Sequence, residues 1–273
     1  MRAETIHLTE QYDFLRSGDA DPTLVGYIQN PARAGRIRPA VIVVPGGGYT
    51  HHGMMEGDPI AVEFLREGYQ AFILYYSVTP HAYPQQTLEL AAAVDYVSRH
   101  ADEYGLDPEK IVLIGFSAGG HLAATYTAFA ARPEIASLVS LHPIAAMILG
   151  YPLLYALNTS THDAIVRFSG KVMLSEEEIK HFSPPYHITS TTPPTFLWHT
   201  AEDGAVPIAG TFRYAEALCS RGIPTEVHTY PKGGHALVTG RWPATAEPES
   251  EAARAASSWV PLAMRWLDLL FHL

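Results

Sequence analysis

The stretch IVLIGFSAGGH, residues 111–121, decides how the rest of the chain is interpreted. An apolar run enters a Gly-x-Ser-x-Gly turn, and the small residues of Leu122–Ala124 favour a helix directly after it. A serine on such a tight turn projects its hydroxyl above the sheet, and the glycines at 115 and 119 remove side chains that would clash there. The stretch therefore predicts a strand, a sharp turn and a helix. We expect Ser117 to be a nucleophile, with an ordinary structural turn as the alternative.

Further apolar, β-branched runs alternate with helical patterns along the chain. Strands in such an alternation form a parallel sheet with helices on both faces, and their burial on both sides gives continuous apolar runs. Weaker patterns at Thr5–Thr9 and Thr23–Gln29 favour an antiparallel leading edge. The runs that predict the other strands are Ala40–Val44, Ala71–Tyr76, Ile111–Ile114, Ser137–Leu141, Thr195–His199 and Glu226–Tyr230. The patterns that predict helices are Pro59–Glu67, Thr87–His100, Leu122–Ala131 and Ile208–Arg221.

One long segment, Pro143–Pro194, interrupts the alternation and is rich in Pro, Ser, Thr and His. Within it, Ser175 and Glu178 form a capping-box pattern at the start of a short acidic helix. A connection of this length in a compact domain is usually functional. We therefore expect a single domain over residues 1–273 with a lid-like insertion at about 143–194.

Composition limits the classes of partner. The formal net charge of −10 over 273 residues argues against a nucleic-acid footprint, which needs clustered Lys and Arg. No apolar stretch is long enough to span a membrane, and the first residues lack the features of a secretory signal. The single cysteine, Cys219, excludes an internal disulfide and suits a reducing compartment. These features predict a cytoplasmic protein that acts on a small or neutral ligand.

An acid and a histidine follow two later strands, where they could activate Ser117. A serine hydroxyl needs a base to take its proton, and the base needs an acid to fix its tautomer. Functional groups gather at the carboxyl ends of parallel strands. Asp203 lies in a turn after the run 195–200, and His235 lies in a glycine-rich loop after the run 226–230. We predict both as catalytic, with Glu202 as the alternative acid.

Three glycines follow the first central strand, in VIVVPGGGYT at residues 41–50. Backbone N–H groups of Gly47 and Gly48, together with the Ala118 N–H, could bind the charge that develops on an acyl oxygen. A flexible turn and a phosphate cradle are the alternatives for this loop. A Walker-type loop would need Gly-Lys-Ser/Thr, whereas Tyr49 follows here. The sequence therefore predicts an oxyanion hole.

The adjacent pair His51 and His52 does not predict a metal site. Adjacent histidines cannot easily share one ion on a regular element, and no nearby spacing completes a ligand set. A sugar would need polar and aromatic walls around the nucleophile. The side chains that could supply them are Tyr49, His51, His52, Tyr76, Tyr83 and Trp198, each of which could equally be a core or rim residue.

Four blocks of the chain together resemble a known superfamily. They are PGGGYTHHGMMEGDPIAVEFLREGY (45–69), GFSAGGHLA (115–123), TPPTFLWHTAEDGAVP (192–207) and PKGGHAL (231–237). The chain resembles the α/β-hydrolase superfamily in its short-chain esterase branch, and within it the acetylxylan-esterase-like group of carbohydrate esterases. The order Ser117, Asp203, His235 is also that of the superfamily. The likeness covers most of residues 40–240.

The resemblance implies an α/β-hydrolase fold with a mostly parallel sheet of about eight strands. It implies a small-molecule ester substrate, hydrolysis of short acyl esters, often acetyl groups on xylose or xylo-oligosaccharides, and no metal or organic cofactor. It also implies homo-oligomers without fixing a number. One departure concerns the glycine loop: Pro45 stands where the wider branch has a His that braces the loop.

Two other functions stay open at this point. An amide hydrolase, similar to an arylformamidase or a peptidase, would carry the same triad. Peptidases of the prolyl-oligopeptidase type that resemble this chain usually carry a large propeller domain, for which 273 residues leave no room. The second is a hydrolase fold retained as a ligand receptor with its chemistry lost, because fold alone does not establish function. We expect such a receptor to lack Ser117, His235 or the glycine loop, and all of these are present in this sequence.

Overall fold

The computed structural model describes residues 1–16, 18–30, 37–245 and 248–272, and these form one sheet of eight strands. The strands are β1 (Arg2–His7), β2 (Thr23–Ile28), β3 (Arg38–Val44), β4 (Gln70–Tyr75), β5 (Leu106–Phe116), β6 (Ala146–Gly150), β7 (Thr195–Thr200) and β8 (Thr225–Tyr230). Their order across the sheet is β1-β2-β4-β3-β5-β6-β7-β8. The β1–β2 and β2–β4 pairs are antiparallel, and all later pairs are parallel. The mostly parallel sheet and its antiparallel leading edge are thus confirmed.

Helices cover both faces of this sheet. In the described residues they are α1 (Leu8–Gln11), α2 (Asp58–Arg66), α3 (Gln85–Arg99), α4 (Ala101–Tyr104), α5 (Ser117–Phe129), α6 (Pro133–Ala136), α7 (Thr159–Ser169), α8 (Glu176–His181), α9 (Ala209–Ser220), α10 (Glu251–Ala256) and α11 (Trp259–Phe271). Side chains of α3, α5 and α9 share one apolar core, and those of α2, α10 and α11 share the other.

Strand β3 shows how the sequence builds the two cores. Ala40, Ile42 and Val44 face the core of α3, α5 and α9, whereas Val41 and Val43 face the core of α2 and α11. Successive side chains of a strand point to opposite faces, so a strand between two helical layers is apolar at every position. All five residues are fully buried.

The sixth strand lies later in the chain than the sequence pattern predicts. Residues 137–141 form no strand; they follow the short helix α6, and Leu138 and Leu141 are exposed. The strand is instead Ala146–Gly150, whose five residues are all buried between β5 and β7. An apolar run predicts a strand only if the chain can also bring it into the sheet, and the run at 137–141 stays outside.

Residues after β6 lead through α7, α8 and the 3-10 turn Pro184–His187 before the chain enters β7. The predicted capping box of α8 is present: Ser175 Oγ accepts from the Glu178 N–H, and the Glu178 carboxylate accepts from the Ser175 N–H. His121 of α5 ties this segment to the sheet through its Nε2–H, which donates to the Phe182 carbonyl at 2.7 Å. Across the described parts of the chain, no helix combines the length and the apolarity that crossing a membrane requires.

Candidate active site

Ser117 occupies the sharp turn between β5 and α5. Its φ angle of 50° lies in the left-handed region, which a non-glycine residue adopts only under constraint. The turn also needs Gly119, because a Cβ there would collide with the Val44 carbonyl oxygen of the neighbouring strand. The turn therefore requires both the strained serine and a residue without a side chain, as the sequence pattern predicts.

Ser117, His235 and Asp203 lie in one series of hydrogen bonds. His235 Nε2 is 2.9 Å from Ser117 Oγ, and His235 Nδ1 is 2.6 Å from Asp203 Oδ2. The three residues follow the carboxyl ends of β5, β8 and β7. With a proton on Nδ1, the imidazole donates to the carboxylate and accepts from the serine hydroxyl. That tautomer is the one a general base needs.

The carboxylate of Asp203 is fully engaged. Its Oδ1 accepts the backbone N–H groups of Ala205 and Val206 at 3.0 and 2.8 Å. Its Oδ2 accepts from His235 and also from His199 Nε2, which is 3.1 Å away. Burial by itself would raise the pKa of Asp203, but hydrogen bonds from His199 and His235 and the charge of His235 outweigh it and lower that pKa well below its usual range. Asp203 is therefore an anion at any working pH.

Glu202, the alternative acid, lies elsewhere. Its side chain is half exposed and pairs with Lys232 at 2.7 Å, and it accepts the Gly233 N–H at 3.2 Å. It makes no contact with His235 among the hydrogen bonds of the described residues. The geometry thus favours Asp203 as the partner of the imidazole.

The glycine loop lies beside Ser117. Gly47 and Gly48 have φ angles of 119° and 61° and line the cleft that opens above the serine. Within the described residues, their backbone N–H groups donate to no other group. Ala118 is the second residue of α5, so its N–H has no partner inside the helix. Gly47 and Gly48 thus line the same cleft as Ser117, and Ala118 directly follows Ser117 in the chain.

The cleft has a volume of about 510 Å³ and is lined by two kinds of side chain. The apolar ones are small or medium in size: Leu153, Ala164, Ala205, Val206 and Ala236. The polar ones are Thr50, His51, Glu56, Ser160, Asp163, Arg167, Ser117 and His235. The cleft therefore combines small apolar side chains with many polar groups that could bind hydroxyls.

Of the six side chains considered as sugar-binding walls, His51 lines the cleft. Tyr49, Tyr76 and Trp198 are buried core residues instead. Aromatic residues next to a motif are often packed under the site, because large apolar rings gain most from burial.

Several cleft residues were not expected from the sequence. Ser160, Asp163 and Arg167 belong to α7, in the segment between β6 and β7. Arg167 Nη1 donates to the Gly48 carbonyl at 3.0 Å, so this helix also contacts the glycine loop. The helical spacing of 160, 163 and 167 is the signal that could have placed them on one face.

The described residues contain no group of three or more His, Cys, Asp or Glu side chains with a geometry for a metal ion. His51 and His52 belong to different surroundings: His51 is at the cleft, and His52 packs edge-on against Tyr75 and Tyr76. The chemistry available at the site is that of a serine, a histidine, a carboxylate and backbone donors.

The chain is similar to known proteins over most of its length. The BD-FAE family model matches residues 27–218. The chain is 32% identical over 245 residues to endo-1,4-beta-xylanase B of Butyrivibrio fibrisolvens, covering 86% of this chain and 37% of that protein. It is 26% identical over 258 residues to the acetylxylan esterase of Xylanibacter ruminicola, covering 89% of this chain and 48% of that protein.

A solved structure is similar over nearly the whole length of both chains. It is the acetyl ester-xyloside bifunctional hydrolase of Caldicellulosiruptor lactoaceticus, with a TM-score of 0.78 and 30% identity, covering 95% of this chain and 96% of that one. By contrast, the chain spans between about a third and a half of the length of the curated relatives named above.

Proposed function

The chain belongs to the BD-FAE family of α/β-hydrolase esterases, and from that premise we propose that it is a serine carboxylic ester hydrolase for short acyl groups. The preferred acyl group is acetyl, and the alcohol is a sugar such as xylose or a xylo-oligosaccharide. The observation that carries the proposal is the series of hydrogen bonds from Asp203 through His235 to Ser117.

The reaction takes place in two halves. Ser117 Oγ attacks the ester carbonyl while His235 Nε2 takes its proton, and Asp203 stabilises the imidazolium that forms. The N–H groups of Gly47, Gly48 and Ala118 bind the oxyanion. The alcohol leaves with the proton from His235, and an acyl-enzyme remains. Water then repeats the attack with the same base, and the acid is released.

The lining of the cleft supports a short acyl group and a polar alcohol. Its apolar residues are few and at most as large as Leu153, which suits a short acyl group. The hydroxyl and charged groups of Ser160, Asp163 and Arg167 suit the hydroxyls of a sugar. Two similar proteins, the acetylxylan esterase of Xylanibacter ruminicola and the acetyl ester-xyloside bifunctional hydrolase of Caldicellulosiruptor lactoaceticus, support this substrate class. A cytoplasmic location and a homo-oligomer remain proposals from the sequence.

The test is steady-state hydrolysis of p-nitrophenyl acetate, butyrate and octanoate, with peracetylated xylose alongside, by wild type and Ser117→Ala. We expect fast turnover of the acetate and the sugar ester, little turnover of the octanoate, and loss of activity in Ser117→Ala. Full activity of Ser117→Ala would refute the triad. An enzyme inert on every ester but active on formyl amides would transfer the proposal to amide hydrolysis.

A further inference from the structure

A buried carboxylate, Glu56, lies beneath the glycine loop and has no part in the mechanism given above. It ends the 3-10 turn Met54–Glu56, is 4% exposed, and lines the cleft with its carboxylate. Within the described residues, no lysine or arginine side chain forms an ion pair with it. Burying a charge costs free energy unless the charge is paired or hydrogen-bonded, so the hydrogen-bond partners of this carboxylate are informative.

The first partner of Glu56 is the glycine loop. Its Oε2 accepts the Gly46 N–H at 2.6 Å, and the Gly53 N–H donates to the Gly46 carbonyl at 3.0 Å. Hydrogen bonds therefore fix the orientation of both peptide groups that flank Gly46. A Cβ at Gly46 would lie 2.8 Å from the Ser117 Cβ, so this anchored residue packs directly against the nucleophile.

The second partner leads to the general base. Glu56 Oε1 accepts the hydroxyl of Tyr151 at 2.8 Å, and the Tyr151 ring packs edge-on against the imidazole of His235 with 4.9 Å between ring centroids. Tyr151 is 1% exposed and has a positive φ of 36°. A strained backbone persists only where the surroundings hold it, and such positions gather at functional sites.

We propose that Glu56 is a positioning residue of this active site, which holds the oxyanion loop through Gly46 and the base His235 through Tyr151. The proposal rests on the proposed function. It also accounts for Pro45, which stands where the wider esterase branch has a bracing His: the brace comes from a carboxylate eleven positions later. The carboxylate form suits this role, because each oxygen accepts one hydrogen bond.

The surroundings of Glu56 act on its pKa in opposite directions. The titratable groups that face it in the described residues are Tyr76, Tyr151, His51 and His235. Burial raises the pKa of Glu56, while the Tyr151 and Gly46 donors and the charges of His235 and His51 oppose that rise.

The test compares Glu56→Gln and Tyr151→Phe with wild type, and Glu67→Gln serves as a control on the surface. In Glu56→Gln, the amide nitrogen must face one of two donors, so one hydrogen bond is lost. Tyr151→Phe removes one donor and keeps the Gly46 contact. The first readout is the rate of labelling by a tagged fluorophosphonate, from which Ser117 Oγ would displace fluoride. This rate depends on the serine, the base and the oxyanion loop but needs no knowledge of the ester.

We expect Glu56→Gln to label about 10²-fold more slowly than wild type, as for other small displacements of catalytic groups. On p-nitrophenyl acetate, we expect kcat of Glu56→Gln to fall while its KM stays within threefold of the wild-type value. Tyr151→Phe shows a smaller loss, and Glu67→Gln matches wild type.

The proposal would be overturned if the fluorophosphonate labels Glu56→Gln as fast as it labels Glu67→Gln. If Glu56→Gln does not fold, Tyr151→Phe decides, and a wild-type labelling rate in that variant rejects the proposal. A fall in the stability of Glu56→Gln with an unchanged kcat would also reject the proposal, because the role of Glu56 would then be structural only. If wild type itself is not labelled, the proposed serine mechanism fails first, and the role of Glu56 fails with it.

Discussion

His199 Nε2 lies 3.1 Å from Asp203 Oδ2, the same carboxylate oxygen that accepts from His235 Nδ1. The imidazole of His199 is fully buried, and its Nε2 faces two acceptors, the Asp203 carboxylate and the Val206 carbonyl at 2.9 Å. In the neutral ring the proton is therefore on Nε2, and the hydroxyl of Thr211 donates to Nδ1 at 2.7 Å. His199 is thus the second imidazole donor to Asp203, with its N–H shared between the carboxylate and the carbonyl.

The first prediction concerns this contact. A hydrogen bond to a charged group contributes about 1.5–3 kcal/mol, so His199→Leu should lower kcat by about 10–100-fold with little change in KM. His199→Gln keeps a donor near the same place and should retain most of the activity. Steady-state kinetics on p-nitrophenyl acetate measure both. Equal losses in the two variants would show that the shape of the ring, and not its hydrogen bond, is what Asp203 requires.

The second prediction separates the two adjacent acids. Asp203→Asn keeps the shape but cannot stabilise the imidazolium, and the analogous change in another serine hydrolase lowers kcat by about 10⁴-fold. Glu202→Gln alters an exposed group that pairs with Lys232 and should stay within twofold of wild type. Circular dichroism checks that both variants fold. The opposite ranking would assign the acid to Glu202.

A third prediction distinguishes two glycines of the loop. Gly47 has φ 119°, and a Cβ there would collide with the His51 carbonyl oxygen, so Gly47→Ala must move the loop. Gly48 has φ 61°, and the nearest atom to its Cβ would be Arg167 Nη1 at 3.7 Å. We expect Gly47→Ala to lose about 10²–10³-fold in kcat, the size seen for loss of an oxyanion donor. Gly48→Ala should lose less than about tenfold, because a left-handed alanine costs only about 1–2 kcal/mol.

The fourth prediction concerns stability. Trp259 is fully buried, stacks on Trp198 with 5.3 Å between ring centroids, and donates through Nε1 to the Val238 carbonyl at 2.6 Å. Trp259→Ala should lower the free energy of unfolding by about 3–5 kcal/mol. Trp242→Ala, at a side chain 77% exposed, should change it by less than about 0.5 kcal/mol. Urea denaturation measures both, and similar midpoints for the two variants would contradict the packing argument.

The fifth prediction concerns pH and His121. Burial lowers the pKa of His121 to about 4, and its neutral ring receives the Tyr49 hydroxyl at Nδ1 while Nε2–H donates to Phe182. The unfolded chain binds a proton at this histidine near pH 6.5, whereas the folded chain does not. Stability should therefore decline as the pH falls from about 6.5 to about 4, by about 3 kcal/mol in total from this group.

His121→Gln removes that titration and should flatten the decline over the same pH range. The measurement is the free energy of unfolding of both proteins at several pH values between 4 and 7.5. Parallel curves for wild type and the variant would show that the loss of stability comes from other groups.

The α/β architecture could be predicted because buried parallel strands produce uninterrupted apolar runs. The run 195–199 and the strand Thr195–Thr200 agree to one residue. The prediction is wrong for the sixth strand, because residues 146–150 lie within the proline-containing segment 143–194, where the sequence indicates an insertion. At the amino-terminal edge, Arg2–His7 precedes the predicted 5–9 because one exposed face weakens the apolar signal.

The candidate site divides in a similar way. The sequence could predict the three triad residues, Ser117, Asp203 and His235, because each follows its own strand. Parallel strands that pair in one sheet bring their carboxyl ends to the same edge, whatever conformation the loops adopt. Glu56 and Tyr151 are 95 positions apart and meet through two irregular segments. No periodic pattern links such residues, and only the folded path of the backbone shows that they touch.

The separation of Ser117 and His235 by 118 positions has a consequence for how the protein is made. Contacts between distant parts of a chain form slowly, because the loop between them must first lose its freedom. Strand β8 lies at the edge of the sheet and pairs with β7, so His235 reaches Ser117 only when β5, β6, β7 and β8 are all in place. During synthesis Ser117 leaves the ribosome well before His235, so under the proposed mechanism the serine has no base until the last strand has joined the sheet.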